Sequence, residues 1–564
     1  MTPDAARPWL ASYAPGVPDD IEEQTGSLAD LIQASVEQYP NNVALEFFGK
    51  TTTYAQLGDQ IERAAEGLRA LGVGKGDLVA IILPNCQQHV VAFYAVLRIG
   101  AIVIEHNPLY TSRELRHQFE EHGAKIVIAW DKVVESIQQF PKDIAVNHVV
   151  SVDMTREMSF TTRALLRLPI AKARQSRAAL TTPVRGTTHW ADLVTNQRIA
   201  ATVARPGLED VAVIQYTSGT TGHPKGAMLT HRNLVSNAAQ ARAWVPTVER
   251  GTSVVYAVLP LFHAYGLTLC LTFAMSMGAR LVLFPRFDPD LVLAVVKKRP
   301  PTFLPAVPPI YERLQARAKE KDVSLAGIQI AISGAMPLRA SVVEPWEAET
   351  GGFLVEGYGL SETSPVLMAN PVHTSRVAGS VGLPLPSTLV RVVDPDNPTV
   401  EVPAGERGEL VVRGPQVMSG YWNKPNETAE VFADGWFRTG DIVTIDDKGF
   451  IYIVDRIKEL VITGGFNVSP SEVEEALNKF PGVAEVAVLG MPSEHSGEDV
   501  VAAIVLSPGA SLDTGAISAF ARETLTAYKV PRRFVVVEEL PKSIIGKVLR
   551  RKLRDELLAS EASA

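Results

Sequence analysis

Eight short apolar runs recur between Asp77 and Gly359: "DLVAIILPN", "AIVIEHNP", "KIVIAW", "VAVIQYTSG", "SVVYAVLP", "RLVLFP", "IQIAISGA" and "GFLVEGYG". They are too short for stable helices and too continuously apolar for strands with one wet face, and most are bounded by Gly, Pro or Asn. Helix-like stretches separate them. A chain patterned this way must bury both faces of its strands, which calls for parallel sheets covered by helices. The fold class is α/β.

After about residue 380 the texture changes to glycine-punctuated alternation, "ELVVRGPQVMSGYW" and "DIVTIDDKGFIYIVDR", which predicts antiparallel hairpins. A further module follows. In "VSPSEVEEALNKFPG", Ser469 is placed as an N-cap, Pro470 as the first helical residue and Glu472 as the third, the pattern of a capping box, with Pro481 and Gly482 ending the helix. Strands "VAEVAVLG", "VAAIVL" and "RFVVVEEL" and a helix around 515–527 complete a small α+β domain. At 564 residues the chain exceeds what one core supports, so at least two domains are expected.

A net charge of −8 carries no footprint for nucleic acid. Only Cys86 and Cys270 are present, outside any Cys-x-x-Cys spacing, so a zinc site and a disulfide framework are not expected and a reducing compartment fits. The first residues lack a basic start followed by an apolar stretch, and no run reaches the roughly 18 apolar residues of a membrane span. A cytoplasmic protein is expected.

One segment stands apart. From Arg156 to Arg185 seven basic residues face Glu157 alone, with Phe160, Leu165, Leu166, Leu168 and Ile170 interleaved and Pro169 interrupting any long helix. It reads equally as a solvated basic loop and as peripheral contact with the inner face of the cell membrane.

The chemistry is carried elsewhere. "YTSGTTGHPKGAMLTH" (216–231) crowds Gly, Ser and Thr after a strand-like run and before a helix-like one, a setting in which backbone amides surround phosphate oxygens. It is not a P-loop: His223 and Pro224 separate Gly222 from Lys225, and glycine follows the lysine. "EGYGLSETSP" places Glu362 after a glycine-rich strand end, where a carboxylate suits Mg²⁺ beside phosphates, and sets Tyr358 where an aromatic meets a base. Asp441 and Asp455 are symmetric about Lys448, so a hairpin brings Asp441 close to the Asp455–Arg456 pair. An acid there suits two ribose hydroxyls and an arginine a phosphate.

Seven motifs, "YTSGTTGHPKG", "PLFHAYG", "SGAMPL", "EGYGLSETSP", "GWFRTGD", "DRIKELVITGGFNVSP" and "PKSIIGKVLRR", occur in one order from residue 216 to 551. In this the chain resembles the adenylate-forming superfamily of acyl-CoA synthetases, peptide-synthetase adenylation domains and firefly luciferase. It is most similar to the bacterial long-chain fatty acid–CoA ligases. The resemblance implies a large N-terminal adenylation domain (1–457) of parallel and mixed sheets with a β-rich subdomain, carrying the ATP and acyl sites. It also implies a small mobile C-terminal domain (458–564). The implied reaction has two steps: a carboxylate attacks the α-phosphate of ATP, releasing pyrophosphate, and coenzyme A then displaces AMP from the acyl-adenylate.

The same resemblance implies the residue roles. Thr217, Ser218, Gly219, Thr220, Thr221, Gly222 and Lys225 would wrap the β- and γ-phosphates, and Thr217 with Glu362 would hold Mg²⁺. Gly334, Ala335, Glu356, Gly357 and Tyr358 would frame adenine, with Gly359, Ser361 and Ile453 completing the nucleotide set. Asp441 would bind ribose, and Arg456 ribose or phosphate. His263 would sit by the α-phosphate and the substrate carboxylate, with Tyr265, Gly266 and Leu267 on the substrate. Lys547 aligns with the lysine that drives adenylation, Lys458 with the hinge, and Gly464 and Gly465 with the pantetheine channel. ATP, Mg²⁺ and coenzyme A are the implied cofactors, and a homodimer is one implied assembly.

An apolar tail suits "AYGLTLCLTFAMSMG", which carries no charge before Arg280. Alternatives remain at this level: a medium-chain or aryl acid as substrate, a carrier protein in place of coenzyme A, or a P-loop kinase or ATPase, the last disfavoured by the missing Gly-Lys-Ser/Thr.

Overall fold

The computed structural model describes residues 7–144, 146–217, 224–463, 466–493, 497–543 and 546–562. The chain forms two compact units. One joins Ser12–Leu389 with Arg413–Glu430; the other joins Met1–Ala11, Val390–Val412 and Val431–Ala564.

All eight apolar runs are strands of the first unit, and they divide evenly between two sheets. Leu78–Ile82, Ile102–Glu105, Ile126–Trp130 and Val211–Thr217 lie in an eight-stranded sheet. Val254–Ala257, Arg280–Leu283, Ile330–Ser333 and Phe353–Gly359 lie in a nine-stranded one. Pairing among these runs is parallel, for example Val79 opposite both Val103 and Ile126, and Ala331 opposite Leu354. Helix Gln87–Arg98 touches strands of both sheets and is buried along all 12 of its residues. A helix buried on every side lies inside the structure, and its contacts with strands of both sheets put it between them.

The second unit holds two five-stranded sheets. The first contains the expected hairpin of Trp436–Ile445 and Ile451–Arg456. Its register departs from the expected symmetry. Near the turn Val443 opposes Ile453, but an irregularity between Ile442 and Val443 shifts the pairing by one residue, so Asp441 faces Arg456 rather than Asp455.

In the second sheet Val483–Ser493 and Gly497–Leu506 form a long antiparallel pair, with Arg533–Val536 parallel to the latter. Side chains alternate between its faces. Val486, Val488, Ala502 and Ile504 pack with Val473, Leu477 and Ile517 of the helices Pro470–Leu477 and Thr514–Arg522. Ala487, Leu489, Val501 and Ala503 pack with Leu553 and Leu557 of the last helix, Arg550–Ala562. Each such leucine or valine contributes about 1.5–3 kcal/mol by leaving water, so both faces hold the sheet.

Helix Pro470–Leu477 starts as expected, with Ser469 accepting the Glu472 N–H and proline in the first turn. The reciprocal half of the expected capping box is replaced: the Glu472 carboxylate accepts from Lys529 Nζ at 2.7 and 2.8 Å. The helix also stops earlier than expected, with Asn478 as its C-cap.

Candidate functional site

The residues singled out in the sequence fall into two groups, one in each compact unit. Ser218, Gly219, Thr220, Thr221, Gly222, Gly464 and Gly465 lie outside the described residues.

In the first unit the phosphate-loop motif is bracketed by a hairpin. Val211–Thr217 and Lys225–Thr230 are antiparallel, and Thr217 opposite Lys225 is the last rung before the loop. The helix-like segment expected after this stretch follows the second strand. The helix His231–Trp244 begins six residues beyond Lys225, capped by Thr230 and Asn233 in a reciprocal box. Lys225 therefore stands on a strand. Glycine is required next to it, because a Cβ on Gly226 would lie 2.6 Å from Ile214 Cγ2.

A residue not singled out in the sequence joins this hairpin to Glu362. Gly420–Tyr421 pairs antiparallel with Lys225–Thr230, Tyr421 opposite Ala227. The Tyr421 hydroxyl donates to Glu362 Oε1 at 2.8 Å, and Lys225 Nζ lies 5.2 Å from the centre of its ring. Burial, then the neighbouring carboxylate, pushes the Tyr421 phenol well up, so it remains a donor. Glu362 occupies a single turn, Ser361–Thr363, fixed by Thr363 Oγ1 donating to Pro365 O and by the Met418 N–H donating to Glu362 O. Before that turn, Gly359 admits no side chain: a Cβ would sit 1.8 Å from Pro365 O.

Two of the segments expected to frame a base are constrained. Ala335 has φ +66, an uncommon conformation for a residue with a Cβ, in the "SGAMPL" turn after Ile330–Ser333. Glu356, opposite Ser333 on the next strand, accepts from the Leu338 N–H at 3.3 Å, and burial pushes its carboxyl up to about 8. Burial thus favours its neutral form. Tyr358, two residues on, is nearly buried. Gly334 lies over the Tyr265 ring, where a Cβ would approach to 3.1 Å. The Tyr265 hydroxyl lies 2.6 Å from Ile332 O and 3.1 Å from Ala306 O, to which it donates, so this side chain ties together the ends of two paired strands.

His263 caps the short helix Ala264–Gly266, its Nδ1 accepting the Tyr265 N–H at 3.3 Å. Burial lowers the imidazole to about 4. It is therefore neutral at pH 7, with its proton on Nε2 available as a hydrogen-bond donor. Two further residues hold this loop. Asn85 Nδ2 donates to Ala257 O and Leu259 O, Asn85 Oδ1 accepts the Leu261 N–H, and Gln215 Nε2 donates to Phe262 O. Beyond it Leu267–Thr272 forms a π-helix, a form concentrated at functional sites, and Leu267, Leu269, Leu271, Phe273 and Met275 are all buried. A Cβ on Gly266 would strike Pro260 O at 2.1 Å.

In the second unit Arg456 Nε lies 2.8 Å from Asp441 Oδ1, with the Asp441 side chain only 1% exposed. Ile453 of the same strand is exposed. Asp455 turns away from this pair, accepting the Arg456 and Ser471 N–H groups at the start of helix Pro470–Leu477. Lys547 precedes helix Arg550–Ala562, in a turn where the Ser543 N–H donates to Lys547 O and Lys547 N–H to Ser543 Oγ. Burial lowers its ammonium to about 8, helped by repulsion from Arg456 and opposed by Glu459 and Asp441. Arg550 is occupied by Glu459 and Glu474. Lys547, Arg456 and Asp441 thus share one electrostatic neighbourhood. Lys458 belongs to the one-turn helix Ile457–Glu459 directly after Arg456.

The profile of the AMP-binding enzyme family matches residues 32–422, and that of the AMP-binding enzyme C-terminal domain matches 472–547. A long-chain-fatty-acid–CoA ligase of Bacillus subtilis is 38% identical, covering 98% of this chain and 98% of that protein. One from Escherichia coli is also 38% identical, covering 97% and 98%. Among solved structures, ATP-bound MatB from Rhodopseudomonas palustris superposes with a TM-score of 0.81 at 32% identity, over 94% of this chain and 98% of that one. With motifs, fold and both profiles in agreement over nearly the whole chain, the protein belongs to the AMP-binding enzyme family.

Proposed function

We propose that this protein is a long-chain fatty acid–CoA ligase that forms an acyl-adenylate and then a thioester. The observation that carries the reading is the neighbourhood of Lys547, Arg456 and Asp441, in which two cations and one buried carboxylate converge. In the first step a carboxylate oxygen bonds to the α-phosphorus of ATP and pyrophosphate leaves. Negative charge gathers on the oxygens, and the Lys547 ammonium would meet it. Asp441 accepts from the ribose hydroxyls, and Arg456 from its side of the pair meets ribose or phosphate. His263, neutral, donates from Nε2 to the substrate carboxylate or α-phosphate. In the second step the sulfur of coenzyme A bonds to the acyl carbon and AMP leaves, a step that needs no lysine at the finished mixed anhydride.

Glu362 fits Mg²⁺: its donors are hard oxygens, one of them held by Tyr421. With Thr217 it would hold the ion, which when bound neutralises phosphate charge. The loop 217–225, with Lys225, would close over the β- and γ-phosphates. The segments around Gly334, Ala335, Glu356, Gly357 and Tyr358 would take adenine, joined by Gly359, Ser361 and Ile453. Tyr265, Gly266 and Leu267 would begin the acyl site, and Gly464 and Gly465 would line the pantetheine channel. The reading assigns 1–457 to the adenylation domain and 458–564 to a body that moves about Lys458. It also places the enzyme in the cytoplasm, at the inner face of a membrane met by 156–185.

A hairpin around the phosphate motif, where a kinase P-loop would lead from strand into helix, supports this reading over phosphoryl transfer. The products decide: fatty acid, ATP and Mg²⁺ should yield AMP and pyrophosphate once coenzyme A is added, whereas ADP and phosphate would overturn the proposal. A second expectation concerns Tyr421. Tyr421→Phe keeps the ring beside Lys225 and removes the donor to Glu362. The Mg²⁺ concentration needed for half-maximal pyrophosphate release should rise on the order of tenfold, the usual effect of losing a partner that orients a metal ligand. An unchanged Mg²⁺ requirement would remove Tyr421 from the site.

A further inference from the structure

Lys547 stands on a turn that closes on itself. Lys542 and Val548 meet across a single antiparallel bridge, the Leu549 N–H donates to Pro541 O at 2.8 Å, and Gly546 takes φ +81 just before the lysine. On the apolar side the turn is anchored: Leu540 shares one core with Leu553 and Leu557 of the helix Arg550–Ala562 that follows. At the first residue of that helix the anchor is polar.

Arg550, three residues after Lys547, joins three elements. Its Nη2 lies 2.8 Å from both carboxylate oxygens of Glu474 on helix Pro470–Leu477, and its Nη1 donates to Glu459 of the turn that carries Lys458. Glu474 is itself fixed, accepting the Val488 N–H at 2.7 Å. The three side chains are only 17–20% exposed. A cation at the start of a helix meets the positive end of the macrodipole, so its place there is accounted for by the two carboxylates. A guanidinium is suited to this task, because its planar fork reaches two acids at once where an ammonium is a single point charge. Arg551, its neighbour, is exposed.

We infer that Arg550 is the positioning residue for Lys547. By tying the start of the last helix to the Lys458 turn and to helix Pro470–Leu477, it holds the lysine's turn beside Asp441 and Arg456. The ammonium is then in place when the two anionic substrates meet. The inference rests on the reading of Lys547 as the adenylation lysine.

The bridge also sets the charge around that lysine. Arg456 and Asp441 face it from the hairpin, Glu459 from the turn and Arg550 from the helix, with Glu474 and Asp455 acting on the arginine. The two arginines repel the ammonium, and Glu459 and Asp441 attract it. Neutralising Arg550 removes one repulsion and frees Glu459, so the ammonium keeps its proton to higher pH. Neutralising Glu459 does the reverse.

The test measures the two half-reactions of the full chain separately and over pH. Arg550→Gln should slow pyrophosphate release from fatty acid, ATP and Mg²⁺ on the order of a hundredfold, as a misplaced catalytic group does, and leave thioester formation from supplied acyl-adenylate within a few-fold of wild type. Arg550→Lys, which keeps the charge but cannot span both carboxylates, should recover part of the loss. The alkaline limb of kcat/KM for adenylation should move up in pH in Arg550→Gln and down in Glu459→Gln, opposite shifts that weakened folding would not produce. Arg551→Gln should match wild type in both steps. Wild-type adenylation by Arg550→Gln, equal loss of both half-reactions in Arg550→Gln and Arg550→Lys, the same loss in Arg551→Gln, or limbs that do not move would overturn the inference. If Lys547→Ala itself spares adenylation, the assignment of that lysine falls instead.

Discussion

Lys547→Ala should lower adenylate formation by on the order of a thousandfold, while thioester formation from supplied acyl-adenylate and coenzyme A stays within a few-fold of wild type. The asymmetry follows from charge. In the first half-reaction a carboxylate and a triphosphate, both anionic, must approach, and a positioned ammonium is worth most there. In the second, thiol attack on a mixed anhydride has no such repulsion at the lysine. The neighbourhood of Lys547 adds a pH dependence. Burial and Arg456 lower its ammonium to about 8, so the protonated form is present below that pH and is lost above it. The kcat/KM for adenylation, which reports the free enzyme, should therefore fall as pH rises through about 8. Lys547→Arg should move that alkaline limb beyond the range of assay. Equal loss of both half-reactions in Lys547→Ala, measured by pyrophosphate release and by thioester formation from synthetic acyl-adenylate, would contradict the assignment.

Lys458→Pro should slow thioester formation at least tenfold more than adenylate formation. The residue lies in a one-turn helix between the strand Ile451–Arg456, which carries the Arg456 partner of Asp441, and the strand Val461–Thr463 of the C-terminal sheet. Proline fixes φ and removes the N–H at this position, so a backbone rotation needed between the two steps would be blocked while a single resting geometry is kept. Lys458→Ala, which leaves the backbone free, should come close to wild type in both steps. Parallel loss of both half-reactions in the proline variant would sink the hinge.

Much of this architecture was legible because it rests on local patterning. Each of the eight apolar runs became a strand, since a run of Val, Ile and Leu with no polar alternation has few other ways to bury both faces. Ser469 likewise began its helix, because an N-cap is decided within one turn. What local pattern missed was long-range. The one-residue shift that sets Asp441 against Arg456 arises from a bulge, which neither strand signals alone. A capping-box reading failed at Glu472 because Lys529, 57 residues away, competes for the carboxylate. The strand that carries Lys225 was not among the eight apolar runs, and only its pairing with Val211–Thr217 reveals it.

The overlooked site residues share one trait. Tyr421 reaches Glu362 across 59 positions, and Asn85 reaches the His263 loop across more than 170. Their types carry no chemistry of their own, and only the fold gives them a partner. The "GYW" after "ELVVRGPQVMS" and the Asn of "IILPN" were visible as turn and strand-end residues. No spacing rule connects either to a carboxylate or a histidine so far along the chain.

The most direct test of the central claim is thioester formation by the purified protein with ATP, Mg²⁺ and coenzyme A over a series of saturated fatty acids from short to very long, with aryl acids alongside. Burying alkyl carbon is worth about 0.8 kcal/mol per CH₂, so specificity should climb several-fold with each added methylene until the chain fills its site. A maximum of kcat/KM among the long-chain acids, with AMP released in step with the thioester, is the predicted result. A maximum at short-chain or aryl acids, or no acyl-CoA with any of them, would contradict it.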